Sequence, residues 1–242
     1  MTERTGGRAG SMAGAPVVLL DVDNTLLDND RVQADLGERI ELAGGAAARE
    51  RYWALYEMLR SERGYADYLG TLERLAAERL DGRRLDDLTA FLLDYPFRDR
   101  LYANALEAIE ALKDWSLPVI VSDGDTRYQP NKIRRSGIWD AVEGRVLIYV
   151  HKEQMQDEID RLYPAWHHVM VDDKLRILAA MKAHRGTALT TVFVRQGHYA
   201  HDPAVLSKFA PADLSIERIG DLLTCDLSGR LDATRSAHRR AP

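Results

Sequence analysis

Short apolar runs that stop abruptly at polar clusters alternate along most of the chain with stretches of helical periodicity. Pro16-Val17-Val18-Leu19-Leu20 stops at Asp21, Leu117-Pro118-Val119-Ile120-Val121 stops at Ser122-Asp123-Gly124-Asp125, and His168-Val169-Met170-Val171 stops at Asp172-Asp173. Arg145-Val146-Leu147-Ile148-Tyr149 and Leu189-Thr190-Thr191-Val192-Phe193-Val194 bring the set to about five. Runs of this length, rich in β-branched residues and without polar alternation, suit strands buried on both faces of a parallel sheet. Pro118 stands near the start of its run, where a missing N–H is tolerated. Helical spacing fills Asn104 to Asp114, Lys132 to Gly137, Glu153 to Tyr163 and Lys174 to His184. The alternation predicts an α/β fold, a parallel sheet covered on both faces. In such sheets ligands collect at the carboxyl ends of the strands, where the strand order reverses.

Residues 29–100 break this rhythm: they hold no convincing strand and many helix formers, as in Glu50 to Arg63 and Tyr68 to Leu80. They are expected to form a helical insertion between the first strand and the second. Tyr52, Trp53, Tyr56, Tyr65 and Tyr68 concentrate there, with Arg49, Arg51, Arg60 and Arg63 supplying positive charge. A helix bundle with solvated arginines is the plainer reading; a lid over a site is the sharper one. The expected organisation is a flexible leader at 1–15, a core made of 16–28 and 101–225, a helical cap at 29–100 and a disordered tail at 226–242. After Gly197 the chain reads as irregular, with Ile216 to Leu223 as a last helix.

Composition narrows the classes. At 242 residues, 45% hydrophobic and 29% charged, the chain is ordinary for a globular protein and carries no membrane-length apolar run. A formal charge of −5 gives no general attraction to nucleic acid or anionic lipid. Cys225 is the single cysteine, so no intramolecular disulfide forms and a reducing cytoplasm fits best. The expected partner is therefore a small molecule, with no nucleic acid and no membrane; monomer or homodimer stays open.

Asp21 and Asp23, one residue apart just past a strand, invite a hard cation, and Asp172-Asp173 ends another strand in the same way. Taken alone, an Asp-x-Asp also occurs in calcium loops and plain turns. In order, Asp21-Val22-Asp23-Asn24-Thr25-Leu26-Leu27, then Ser122 after an apolar strand, Lys152 in His151-Lys152-Glu153, and the pair Asp172-Asp173 resemble the four motifs of the haloacid dehalogenase superfamily. The long gap between the first two motifs resembles that family's inserted helical cap, and the core it implies is Rossmann-like.

The resemblance implies a magnesium-dependent phosphohydrolase acting on a small phosphorylated metabolite. Asp21 would be the nucleophile, a carboxylate already ionised at neutral pH with a reference pKa of about 3.9. Asp23 would be the general acid and base, and also a metal ligand through its backbone carbonyl; Asp21 and Asp173 would complete the protein's share, with Asp172 a second ligand or an outer partner. Relatives that cleave carbon–halogen bonds lack the acid at the position of Asp23 and need no metal, which favours phosphate. Ser122 and the backbone at Asp123 and Gly124 would hold phosphoryl oxygens, and Lys152 would set a cation between the phosphate and Asp21. Lys132 competes for that role but reads as surface; Lys174 reads as a helix opener. Thr25 is expected to bond the loop backbone and keep both aspartates in register. Arg60, Arg63 and Tyr65 are the cap residues expected at the substrate. The histidines show no metal-ligand spacing, and the Arg195 to Tyr199 loop has no assigned role. A phosphomutase and a catalytically silent binding protein with the same fold are the alternatives.

Overall fold

A computed structural model describes residues 14–240 of the chain. The expected leader falls almost wholly outside the described residues. The backbone runs β1 (Val17–Leu20), α1 (Asn29–Gly44), α2 (Ala46–Arg63), α3 (Tyr68–Arg79), α4 (Gly82–Leu93), α5 (Ala105–Leu112), β2 (Leu117–Asp123), α6 (Tyr128–Ser136) and the short α7 (Ile138–Ala141). It continues through β3 (Val146–Tyr149), α8 (Gln156–Leu162), β4 (His168–Asp172), α9 (Leu175–Arg185), β5 (Leu189–Val194), α10 (Pro203–Leu206), β6 (Leu214–Ile216) and α11 (Leu227–Arg240).

The six strands lie in the order β3-β2-β1-β4-β5-β6, every pair parallel. This is the doubly wound Rossmann-like arrangement, and the order reverses on either side of β1. Every residue of β1 is buried, as its unbroken apolar run requires. Two apolar layers flank the sheet. One, containing Leu19, Val121, Met170, Ile177 and Met181, packs under α9; the other joins Val18, Leu20 and Val171 to the helices between β1 and β2.

The first four of those helices, α1 to α4, form an insertion whose two ends run side by side: the Asp28 N–H donates to the Arg100 carbonyl (2.8 Å), and the Tyr102 N–H to the Leu26 carbonyl (3.0 Å). Helical spacing puts Val32, Leu36 and Ile40 of α1 on one buried face, opposite Tyr52, Leu55, Tyr56 and Leu59 of α2. Asp67 and Asp81 cap α3 and α4 by accepting from the Gly70 and Arg84 N–H groups. The aromatics of this region are core: Tyr52, Tyr56 and Tyr68 follow one another in ring contact and continue to Tyr128 of α6.

Three expectations are corrected. A sixth strand, β6, pairs with β5; at three residues it is too short to give a pattern. The stretch expected as a last helix splits into this strand and a 3-10 turn at Ile219–Leu223. The expected disordered tail is helix α11 over Leu227–Arg240, because Leu227 and Leu231, one turn apart, bury themselves against the core. Residues 241–242 lie outside the described residues. No helix among the described residues is long and apolar enough to cross a membrane.

Candidate active site

The strand order brings three polar strand ends together: Asp21 past β1, Ser122 and Asp123 at the end of β2, and Asp172-Asp173 at the end of β4. The Asp21 N–H donates to the Val171 carbonyl (3.0 Å), which fixes the first acidic residue beside the last pair. Asp21, Asp172 and Asp173 are buried, and one carboxylate oxygen from each lies within 4.8 Å of the other two.

Lys152 follows β3 and is fully buried; its Nζ meets Asp21 Oδ1 at 2.5 Å, Asp172 Oδ2 at 2.7 Å and the Val121 carbonyl at 3.2 Å. Asp172 Oδ1 accepts from the Lys174 N–H (2.7 Å), so Asp172 is held on both sides. Asp173 differs: neither of its oxygens has a hydrogen-bond donor, and its nearest cation, Lys174 Nζ, stands 3.5 Å away. Thr25 links the two ends, its hydroxyl donating to Asp21 Oδ2 (3.2 Å) and accepting from the Asp173 N–H (3.0 Å). The expected contact of Thr25 with the loop backbone is thus to the fourth motif, and Thr25 also fixes the Asp21 carboxylate directly.

Burial and charge set the protonation states. Burial raises the Asp21 carboxyl, but the ammonium groups of Lys152 and Lys174 outweigh it and bring Asp21 below its usual value. Burial dominates at Asp173 and, with Asp172 and Asp21 nearby, holds it well above the carboxylate range. Asp172 and Asp123 are also raised by burial. Burial opposes charge on Lys152 and Lys174, but the facing aspartates raise both above an ordinary lysine. Three buried carboxyl groups thus share two ammonium groups, and Asp173 is the one whose charged form burial opposes most and no hydrogen-bond donor supports. A buried carboxylate with two unpartnered oxygens in such a group is the environment that a small divalent cation with oxygen ligands satisfies. Asp21 and Asp173 fit that role, and Asp172 the outer one.

Asp23 lies nearer solvent, with its side chain 21% exposed, and lines a cleft of about 200 Å³ between the strand ends and α2–α3. Asp123, His151, Lys174, Arg176, Tyr199 and, from the cap side, Tyr56, Arg60, Tyr65 and Tyr68 also face it. Arg60 Nη2 donates to the Tyr199 hydroxyl (3.0 Å), bridging the cap to the loop after β5. Arg63 instead pairs with Asp67 and lines a neighbouring hollow of about 400 Å³ beside Gly124 to Arg127. A hollow of about 350 Å³ at Asp160, Trp166, His168 and Arg185 lies at the opposite, amino-terminal end of the strands, where β4 begins, away from the aspartates.

Four further expectations change. Lys132 is not a surface residue: it is fully buried, with Nζ 2.7 Å from Asp23 Oδ1 and 3.0 Å from Asn29 Oδ1. Helix α6 begins four residues earlier than its apolar spacing implied, since Pro130 falls in the first turn, where a helix tolerates it. Gly124 does not offer its N–H to a ligand; it donates to the Tyr149 carbonyl (2.9 Å), and a Cβ there would press on Gln129 at 3.0 Å. Lys174 caps α9 and also faces the cleft, its side chain 27% exposed.

Gln129, Asn24 and Gln196 were missed. Gln129 Nε2 donates to Ser122 Oγ (2.9 Å) and Asp23 Oδ2 (3.2 Å). Asn24, in the left-handed region at φ 61°, accepts from the Asn29 and Asp30 N–H groups and so sets the start of α1. Gln196 donates to the Thr25 carbonyl (3.0 Å). Gln129 shares one face of α6 with Lys132, but the apolar spacing does not carry that helix back to it.

A model of the haloacid dehalogenase-like hydrolases matches residues 15–185. The chain belongs to this family, and it is a hydrolase. Among solved structures it is 55% identical to a haloacid dehalogenase-like hydrolase from Burkholderia xenovorans, with a TM-score of 0.83 over 89% of this chain and 98% of that one. An L-2-haloacid dehalogenase from Xanthobacter autotrophicus shares the fold at 18% identity and TM-score 0.57, over 86% of this chain and 96% of that one. So does a hydrolase of the family from Bacillus subtilis bound to magnesium, at 16% identity and TM-score 0.58, over 87% of this chain and 98% of that one. No match was found among curated proteins.

Proposed function

We propose that the protein is a magnesium-dependent phosphatase that cleaves small phosphoric monoesters through an aspartyl-phosphate on Asp21. The observation that carries this reading is Asp173, buried beside Asp21 with both oxygens lacking a donor, next to a cleft that also presents Asp23. The magnesium-bound relative from Bacillus subtilis agrees with it.

Asp21, Asp173 and the Asp23 carbonyl would hold magnesium, whose positive charge would offset the repulsion between the carboxylates and the phosphoryl oxygens. Asp21, its orientation set by Lys152 and Thr25, attacks phosphorus while the bond to the ester oxygen breaks. Asp23 gives its proton to the departing alkoxide. It then takes a proton from water, whose oxygen attacks phosphorus, breaks the bond to Asp21 and leaves inorganic phosphate. Lys152 keeps Asp21 anionic before attack, and Ser122, its hydroxyl fixed by Gln129, faces the phosphoryl group.

The test is hydrolysis of p-nitrophenyl phosphate and of a panel of sugar and acid phosphates, with magnesium and with EDTA, beside chloride release from 2-chloropropionate. Magnesium-dependent phosphate release without dehalogenation is expected; chloride release that persists in EDTA overturns the reading.

A further inference from the structure

Lys132 has no place in the chemistry above, yet it is a fully enclosed cation. A buried ammonium carries a desolvation cost that a leucine or methionine at the same place would not. Its partners show what the charge is used for. Nζ donates to Asp23 Oδ1 at 2.7 Å and to Asn29 Oδ1 at 3.0 Å, with the rings of Tyr128 and Tyr68 at 5.2 and 5.8 Å. One helical turn earlier, Gln129 Nε2 donates to the other oxygen, Asp23 Oδ2, at 3.2 Å.

Both oxygens of the carboxylate are thus gripped from one helix, while each keeps a lone pair and the group still opens to the cleft. Asn29, the first residue of α1, donates in turn from Nδ2 to the Tyr68 hydroxyl of α3 (3.1 Å), which also accepts from Gln33 (2.9 Å). Three hydrogen bonds, Asp23 to Lys132 to Asn29 to Tyr68, therefore run from the cleft floor into the helical cap.

We propose that Lys132, helped by Gln129, is a positioning residue that aims the Asp23 carboxyl group at the leaving-group oxygen, and that Asn29 and Tyr68 couple this aim to the docked cap. The inference rests on the phosphatase reading. Proton transfer from a positioned acid matters for an alkoxide leaving group and little for a nitrophenolate, which departs without a proton. A lysine serving only as a core ion pair would affect both alike.

The experiment compares kcat/KM for an alkyl phosphate such as glycerol phosphate with that for p-nitrophenyl phosphate in the wild type, Lys132→Met, Gln129→Leu and Tyr68→Phe. Each ratio is taken within one preparation, so a partly unfolded sample does not alter it. The alkyl-to-aryl ratio is expected to fall about 10-fold or more in Lys132→Met, carried by kcat, and by smaller factors of about 2 to 5 in the other two. An unchanged or raised ratio in Lys132→Met overturns the positioning role, and an unchanged ratio in Tyr68→Phe overturns the coupling to the cap. A wild type that hydrolyses neither ester is a separate result, which removes the phosphatase reading and this inference with it.

Discussion

The strand ends and the cap spend their charges in opposite ways. At the strand ends Asp21, Lys152, Asp172 and Asp173 are almost completely buried, and Lys152 meets Asp21 and Asp172 directly. On the cap, Arg49 pairs with Glu41 and Arg51 with Glu78 on surfaces about 35 to 45% exposed. The first arrangement depends on Lys152, because removing it strands Asp21 and Asp172 in low dielectric. The second is screened by water and contributes little to stability. The proposed chemistry therefore draws on the sheet, and the cap side presents to the cleft only the few side chains that turn inward, such as Arg60 and Tyr65.

The contrast can be broken most forcefully at the proposed nucleophile. Asp21→Asn is expected to lower kcat by a factor on the order of 10⁴ in a steady-state assay of phosphate release, with the fold intact by circular dichroism. Retained turnover would remove Asp21 from the mechanism. Asp173→Asn comes next, with a loss on the order of 10² or more in kcat and no saturable magnesium binding by calorimetry. In EDTA the same variant should melt higher than the wild type, by about 2 to 4 °C for each kcal/mol of repulsion relieved, and magnesium should raise only the wild type.

The inward-facing cap residues come third. Arg60→Ala, which frees Tyr199, is expected to raise KM several-fold with kcat within about twofold, whereas Arg63→Ala, directed at the neighbouring hollow, should leave KM unchanged. Equal effects of the two on KM would erase the distinction between them. The smallest effect belongs to Glu78→Gln, which breaks the surface pair with Arg51; melting temperature and both kinetic constants should stay within the scatter of measurement.

The same contrast explains what was legible in the sequence. A parallel strand is a local signal, and an apolar run that ends in Asp21, Ser122 or Asp172 marks its own functional end, so those residues could be found one by one. Lys132 could not. It reaches Asp23 across 109 positions, and its neighbours Arg134 and Arg135 give its helix the look of a solvated face. Gly124 misled for a related reason: a glycine after a strand suggests room for a ligand, but the side chain of Gln129 fills that room. At the C-terminal end two leucines in a polar stretch carried too little pattern to reveal α11, whose burial depends on a core surface assembled from distant segments.

Covalent trapping tests the central claim most directly. The wild type is quenched in acid within one turnover of a phosphate ester labelled on phosphorus, in magnesium, and its peptides are mapped by mass spectrometry. A phosphoryl group on the peptide containing Asp21, lost in Asp21→Asn and in EDTA, is the expected result. Phosphate released at the full rate with no label at Asp21 at any quench time would contradict it.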